Sequence, residues 1–317
     1  MALMRDQIFV QIPAYRDREL LPTINNLFEQ AKQPERLRVV VAWQYGDEEL
    51  PLEQQLRRWP NLELLKFPAA QSEGCNWARR LMQERWAGER YTLFLDSHHR
   101  FIANWDQQAI EMLEALRLTG VNKPILTAYL PPYDPKHDPD GRANYVFHIR
   151  PAQRDRGMLF YLIGDPVPGW SELNAPWQAK FASLHFLFAD GAINEELAID
   201  PSIYFYVDEI AISLRAYTLG YDLFHPHRIL GWHLYNRSTR VTHWHDNSSA
   251  RVKSEVTYKR IQALFSGRWQ GKYGLGRVRT AADYEAVIGE PLILKQATTN
   301  QIQASWAQLK TVRPRSY

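Results

Sequence analysis

A single cysteine, Cys75, stands among the 317 residues. An internal disulfide is therefore excluded, as is any metal cluster built on several thiolates, and one thiol fits a reducing compartment. Long apolar runs are equally scarce. No window reaches the roughly 18 apolar residues of a membrane span, and MALMRDQIFVQIP has no extended apolar core of the kind a secretory signal carries. These absences predict a soluble, cytoplasmic protein with no membrane insertion. Charge of one sign is also in short supply: 38 basic residues nearly balance 35 acidic ones, leaving +3. No Lys/Arg run reads as a nucleic-acid arm, so a small polyanion suits the chain better than nucleic acid. Neither an internal repeat nor a low-complexity tract is present. Apolar residues, in contrast, make up 45% of the chain, enough for one large or two small globular cores. Much of the aromatic surplus falls between Trp170 and Trp244, which suits a carbohydrate-binding cleft or a thick core, and most of those rings are expected inside.

The stretch Tyr91 to Phe101, YTLFLDSHHRF, organises the reading. Thr92 to Leu95 form an unbroken apolar run of β-formers, the pattern of a strand covered on both faces, and Asp96 ends it. Earlier, Gln7–Ile12 predicts a strand, Pro13 to Asp17 a polar loop, and Leu20, Leu21, Ile24, Leu27, Phe28 and Ala31 a helix. Leu37–Trp43 and Asn61–Phe67 predict two more strands. A helix introduced by Ser72-Glu73-Gly74 places Trp77, Leu81, Met82 and Trp86 on one face, and Gly88 stops it. This is the first half of a nucleotide-binding α/β domain. Trp105–Leu118 predicts a helix and Pro124–Leu130 a strand; residues 131–143 form a Pro/Asp-rich loop. Tyr145–Ile149, Met158–Ile163 and Leu184–Ala189 then suit an antiparallel extension. Asp208–Leu219 predicts a helix, with strands at Leu223–His225 and Ile229–Leu234. A basic helix from Ser248 puts Val252, Val256, Ile261, Leu264 and Phe265 on one side; further helices are expected near Ala281–Ile288 and within the tail from Gln296.

Chemistry is expected at the carboxyl end of the YTLFL strand, where open α/β sheets bind ligands. Asp-X-His offers one hard oxygen and one borderline nitrogen from Asp96 and His98, leaving a divalent ion open to phosphate. Read alone, the same residues also describe a capping aspartate followed by surface histidines. The best third ligand is His233, in GWHLYNR. Beside it, Arg237, Arg240, His243 and His245 form a loop rich in donors and suited to a diphosphate. Asp208 and Glu209 open a helix, where carboxylates are common for dipole reasons alone.

Three stretches, IPAYRDRELLPTINNLFEQAKQPERLRV, EGCNWARRLMQERWAGERYTLFLDSHHRFIANWD and DPSIYFYVDEIAISLRAYTLGYDLFHP, together with YGLGRVRTAADYE, resemble a known family. It comprises glycosyltransferases that add N-acetylglucosamine to hydroxyproline in a cytoplasmic ubiquitin-ligase subunit. FLDSH, ADGAI and the His of GWH are more distantly similar to polypeptide N-acetylgalactosaminyltransferases. The likeness covers roughly residues 8 to 285. It implies a GT-A fold: a Rossmann-like, mostly parallel sheet with an antiparallel extension and C-terminal helices. Residues 1–245 would form the catalytic domain, with a nucleotide half (1–120) and an acceptor half (121–245), and residues 246–317 a helical extension packed on it.

By position, the resemblance implies that Asp96, His98 and His233 bind Mn2+ (or Mg2+). Ser97 would lie near the donor's ribose or sugar. Pro13, Ala14, Tyr15, Arg16 and Asp17 would meet the uracil and ribose, and Glu73, Gly74 and Arg79 would line the nucleotide side. Gly191 would let the sugar approach the backbone. Arg237, Arg240 and His243 would contact the diphosphate. Asp208 and Glu209 would be the catalytic or sugar-holding carboxylates, although Val207-Asp208-Glu209 departs from the family's Gly-Glu-Glu. The implied activity is metal-dependent, retaining transfer of N-acetylglucosamine from UDP-GlcNAc to a hydroxyl of a protein (hydroxyproline, serine or threonine) or glycan. Two other readings stay open: a mononuclear two-His, one-carboxylate hydrolase or oxygenase, and a non-catalytic nucleotide-sugar-binding protein.

Overall fold

Residues 7–205, 207–238 and 240–294 are described by a computed structural model of the chain. Strand β1 (Ile8–Tyr15) alternates its side chains between two covered faces. Ile8, Val10 and Ile12 face helix α1 (Leu20–Gln30), which supplies Leu20, Ile24, Leu27 and Phe28 to the same core. β2 (Leu37–Tyr45) follows, then α2 (Glu53–Leu56) and β3 (Leu62–Pro68). α3 (Cys75–Gln83) covers the opposite face, where Ala78 and Met82 pack on Phe9, Val40 and Ala42. β4 (Tyr91–Leu95) is buried at every residue. After β5 (His99–Phe101), α4 (Trp105–Leu118) returns to the α1 side with Trp105, Ala109, Met112, Leu113 and Leu116.

β6 (Pro124–Thr127) precedes a hairpin of β7 (Phe147–Asp155) and β8 (Met158–Pro166). Next come β9 (Trp177–Gln178), β10 (Phe186–Asp190), α5 (Ile193–Glu196) and α6 (Asp208–Thr218). β11 (Asp222–His225), β12 (Gly231–His233), α7 (His243–Asp246), α8 (Ala250–Phe265) and α9 (Ala281–Ile288) complete the order. The central sheet runs β3-β2-β1-β4-β10-β6-β11-β9. Its first four strands are mutually parallel; β10 is antiparallel to both neighbours, and β11 resumes parallel pairing with β6. A mostly parallel sheet covered by helices on both faces is the α/β arrangement expected. α6, α8, α9 and the β7–β8 hairpin share a further core around Leu214, Ile261, Tyr284 and Phe160.

Three local expectations are corrected. β1 continues through Pro13-Ala14-Tyr15, which the sequence reading made a loop. Its pairing with β4 stops at Gln11, so Pro13 lies beyond the edge of that neighbour and its missing N–H breaks no ladder there. In α3 the buried residues are Asn76, Ala78, Arg79, Met82 and Gln83, a largely polar face, and Trp86 lies past the helix end. In α8 the buried residues begin at Thr257, while Val252 and Val256 are 66% and 47% exposed, because the helix meets the shared core only in its second half. The expected tail helix from Gln296 lies outside the described residues.

Phe188, fully buried on β10 and stacked on Tyr91, packs in the core beneath α4. Phe188→Ala is expected to cost about 3–5 kcal/mol, read as a lower urea midpoint.

Candidate active site

β1, β2 and β4 end on the same edge of the sheet, and there the chain opens a cleft, the place where open α/β sheets bind ligands. Pro13, Tyr15, Asp17, Gln44, Asp96, Ser97 and His98 form its sheet side. Tyr204, Phe205, Tyr235, Arg237, Arg240, His243 and Trp244 form the other. His233 arrives from a distant part of the sequence because β12 pairs antiparallel with β5, setting His233 opposite His99. Gly231 makes that pairing possible: a Cβ there would lie 2.4 Å from the Arg100 carbonyl oxygen.

Asp96, His98 and His233 each point one ligand atom inward, all within 4.8 Å of one another. Nε2 of His233 is 3.5 Å and Nε2 of His98 3.9 Å from Oδ2 of Asp96. A cation with bonds of about 2.1 Å holds its ligand atoms roughly 3–4 Å apart, so a sub-ångström contraction closes the trio around one ion. Nε2 of His98 and both nitrogens of His233 are buried without a hydrogen-bond partner among the described residues, a costly arrangement unless something binds them. Burial, with His185 beside it, holds His233 well below the usual histidine range, so it stays neutral, the form that ligates metals. Burial also opposes ionisation of Asp96, but the approach of His233 and the Arg79 guanidinium outweigh it, and its carboxyl sits well below the usual range. The residues present fit a divalent cation with positions left open for a ligand.

Arg79 lies beneath the trio. It donates to Oδ1 of Asp96 at 3.0 Å and to Oδ2 of Asp208 at 3.1 Å, and Asn76 donates to the same oxygen of Asp208. Glu209 is held by Ser183, which donates to Oε1 at 2.7 Å, and by Tyr129, which donates to Oε2. Ser183 also meets Nδ1 of His185 at 3.0 Å, while Nε2 of His185 accepts from the Leu130 N–H. Burial pushes His185 down to about 3, and its neutral ring stacks on His233 at 4.2 Å. Tyr235 completes the box, edge-on to His233.

The structure brings together most of the expected residues and separates others. Pro13, Tyr15 and Asp17 line the cleft, but Ala14 is buried in the strand. Arg16 turns outward to Glu48 and Asp246. Glu73 pairs with Lys253 outside the cleft, and Gly74 lies under the Tyr204 ring, so Cys75 lines the wall in their place. Arg79 acts on carboxylates rather than on an open nucleotide face. Asp208 and Glu209 sit behind the cleft wall. Gly191 is at the wrong end of the sheet: it follows Asp190, which pairs with the first residue of β4, whereas Asp96 follows the last. A glycine is required there because a Cβ would fall 1.9 Å from the Glu89 carbonyl oxygen. Both nitrogens of His243 are engaged, Nδ1 by the Tyr204 hydroxyl and Nε2 by the Ser72 carbonyl. Arg237 lies over Phe205 and Trp244, and Arg240 reaches the Leu234 carbonyl; neither forms an ion pair among the described residues. Sequence reasoning missed Asn76, Tyr129, Ser183, His185 and Tyr235. Only Asn76 left a signal, its helical spacing from Arg79 and Gln83.

The fold is the one GT-A glycosyltransferases share. Over 98% of its length the chain superposes on GalNAc-T7, crystallised with UDP, GalNAc and Mn2+, at a TM-score of 0.57 and 15% identity. The chain spans 58% of GalNAc-T7. It also matches residues 1–349 of S. aureus TarS in complex with UDP-GlcNAc, at a TM-score of 0.54 and 12% identity, covering 89% of this chain and 70% of that one. No curated protein sequence matches. Residues 7–61 and 51–290 match the family model described as Glycosyltransferase (GlcNAc), and the chain belongs to that family.

Burial, reinforced by neighbouring Asp208, pushes the Glu209 carboxyl up to about 7. The folded state then holds the proton more tightly than the unfolded chain, where glutamate titrates near about 4.3. Stability should therefore fall as pH rises from about 4.5 to 7 and level off above that. Glu209→Gln removes this slope, so its urea midpoint relative to wild type should rise between about pH 5 and pH 8. A constant difference across that window would show that Glu209 titrates alike in both states.

Proposed function

We propose that the chain transfers N-acetylglucosamine from UDP-GlcNAc to a hydroxyl acceptor, with retention of configuration and with Mn2+ (or Mg2+) held by Asp96, His98 and His233. One observation carries the reading: two buried imidazole nitrogens without hydrogen-bond partners among the described residues, His98 Nε2 and His233 Nε2, converge with the Asp96 carboxylate in a cleft shared with Arg237 and Arg240, two guanidinium groups outside any ion pair among the described residues. A diphosphate would satisfy both sets. The cation would offset the charge that develops on the nucleoside diphosphate as the glycosidic bond breaks. Arg237 and Arg240 would add donors to the same oxygens, in a site where such interactions gain strength from exclusion of water.

The two carboxylates lining the cleft, Asp17 and Asp96, are both committed, the first to Ser97 and His98 and the second to the cation trio. Among the described residues no further carboxylate is on the wall to attack the sugar and form a covalent intermediate. With retention taken from the family resemblance, that supports attack on the same face as the departing diphosphate rather than a covalent glycosyl-enzyme intermediate. Asp208 and Glu209 would shape the sugar pocket from the second layer. The resemblance to enzymes acting on hydroxyproline points to a protein acceptor in the cytoplasm, with serine, threonine or a glycan hydroxyl as the alternatives.

Release of UDP from a panel of UDP-sugars, with Mn2+ or EDTA, tests the reading. The expected result is turnover of UDP-GlcNAc above UDP-GalNAc, abolished by EDTA and reduced about 100-fold or more in Asp96→Asn. UDP binding without sugar release would instead mark a nucleotide-sugar-binding protein.

A further inference from the structure

We propose that Asp17 is a positioning residue whose carboxylate makes His98 a metal ligand through Nε2. The inference rests on the cation reading of the site and adds a residue that acts on the cation through His98.

Asp17 follows the end of β1 and is 3% exposed. Its Oδ1 accepts from the Glu19 N–H at 3.0 Å, which fixes the local turn. Its Oδ2 faces the other way and is 2.7 Å from both Ser97 Oγ and His98 Nδ1. An ionised carboxylate only accepts hydrogen bonds, so His98 must carry its proton on Nδ1. The lone pair is then on Nε2, the buried atom with no hydrogen-bond partner, aimed at Asp96. A carboxylate behind a ligating imidazole fixes its tautomer and ring plane and makes the far nitrogen a stronger donor to a metal. Among the described residues His233 has no such support: its Nδ1 has no hydrogen-bond partner there, and its ring stacks on His185. The two histidines are thus held by different means, and the loops after β1 and β4 are joined through one carboxylate oxygen.

The test is Mn2+ titration of the full chain, followed by electron paramagnetic resonance of the free ion, with melting temperature measured in parallel. Asp17→Ala should weaken Mn2+ binding by about 10- to 100-fold. Asp17→Asn, which keeps an acceptor but loses the charge, should fall between Asp17→Ala and wild type. If wild type binds Mn2+, Asp96→Asn abolishes binding and folded Asp17→Ala binds as wild type does, this proposal fails and the cation site stands. If wild type does not bind Mn2+, the cation reading itself fails and takes this proposal with it. Should Asp17→Ala not fold, 15N-histidine NMR of wild type decides. His98 protonated at Nδ1, with an Nε2 resonance broadened by Mn2+, supports the proposal, and protonation at Nε2 overturns it.

Discussion

A buried negative charge must be balanced where it sits, and the site is built on that requirement. β4 is buried at all five residues, so the carboxylate that follows it loses most of its water as the sheet forms and keeps only its cleft side exposed. Arg79 meets it from α3 and with its second nitrogen reaches Asp208 at the start of α6. One guanidinium therefore ties a strand to two helices, and losing it would leave the buried Asp208 and the half-buried Asp96 without their shared counter-charge, the costly way to break such a network. The arrangement is lopsided. Oδ1 of Asp96 is satisfied by Arg79, while Oδ2 faces His98 and His233. Negative potential is left on the cleft side, among rings that offer lone pairs.

What was legible in the sequence was the part governed by local rules. The apolar run of β4 and its abrupt end in Asp96 pointed to the candidate site, the bounds of α4 followed from its amphipathic spacing, and α9 fell where a helix near Ala281–Ile288 was expected. The polar face of α3 was not legible, because a search for apolar periodicity assigns Asn76, Arg79 and Gln83 to solvent, whereas they serve buried partners from other elements. His185 lies in an apolar run with no motif around it; its place beside His233 depends on three separate strands meeting. Gly191 misled for a related reason. A glycine marks close backbone approach without saying to what, and here the neighbour is the Glu89 carbonyl rather than a ligand.

The cleft's outer wall has its own fastening. Tyr15 and Arg16, at the end of β1, both bond to Asp246, while His243 is held by Tyr204 and Ser72. These contacts set α7 against the ends of the sheet, with Arg237 and Arg240 on the stretch that leads to it. Arg16 therefore serves the cleft through the segment it anchors, although it does not face the interior.

The antiparallel pairing of β12 with β5 has a consequence for how the protein is made. Asp96 and His98 emerge early in synthesis, but His233 joins them only after more than a hundred further residues have been added. Contacts that far apart in sequence form late, since closing the intervening loop costs entropy before any contact compensates for it. Until then a nascent chain with a finished β4 displays two of the three ligand side chains and cannot close a cage around an ion. Site assembly is thus coupled to completion of the fold.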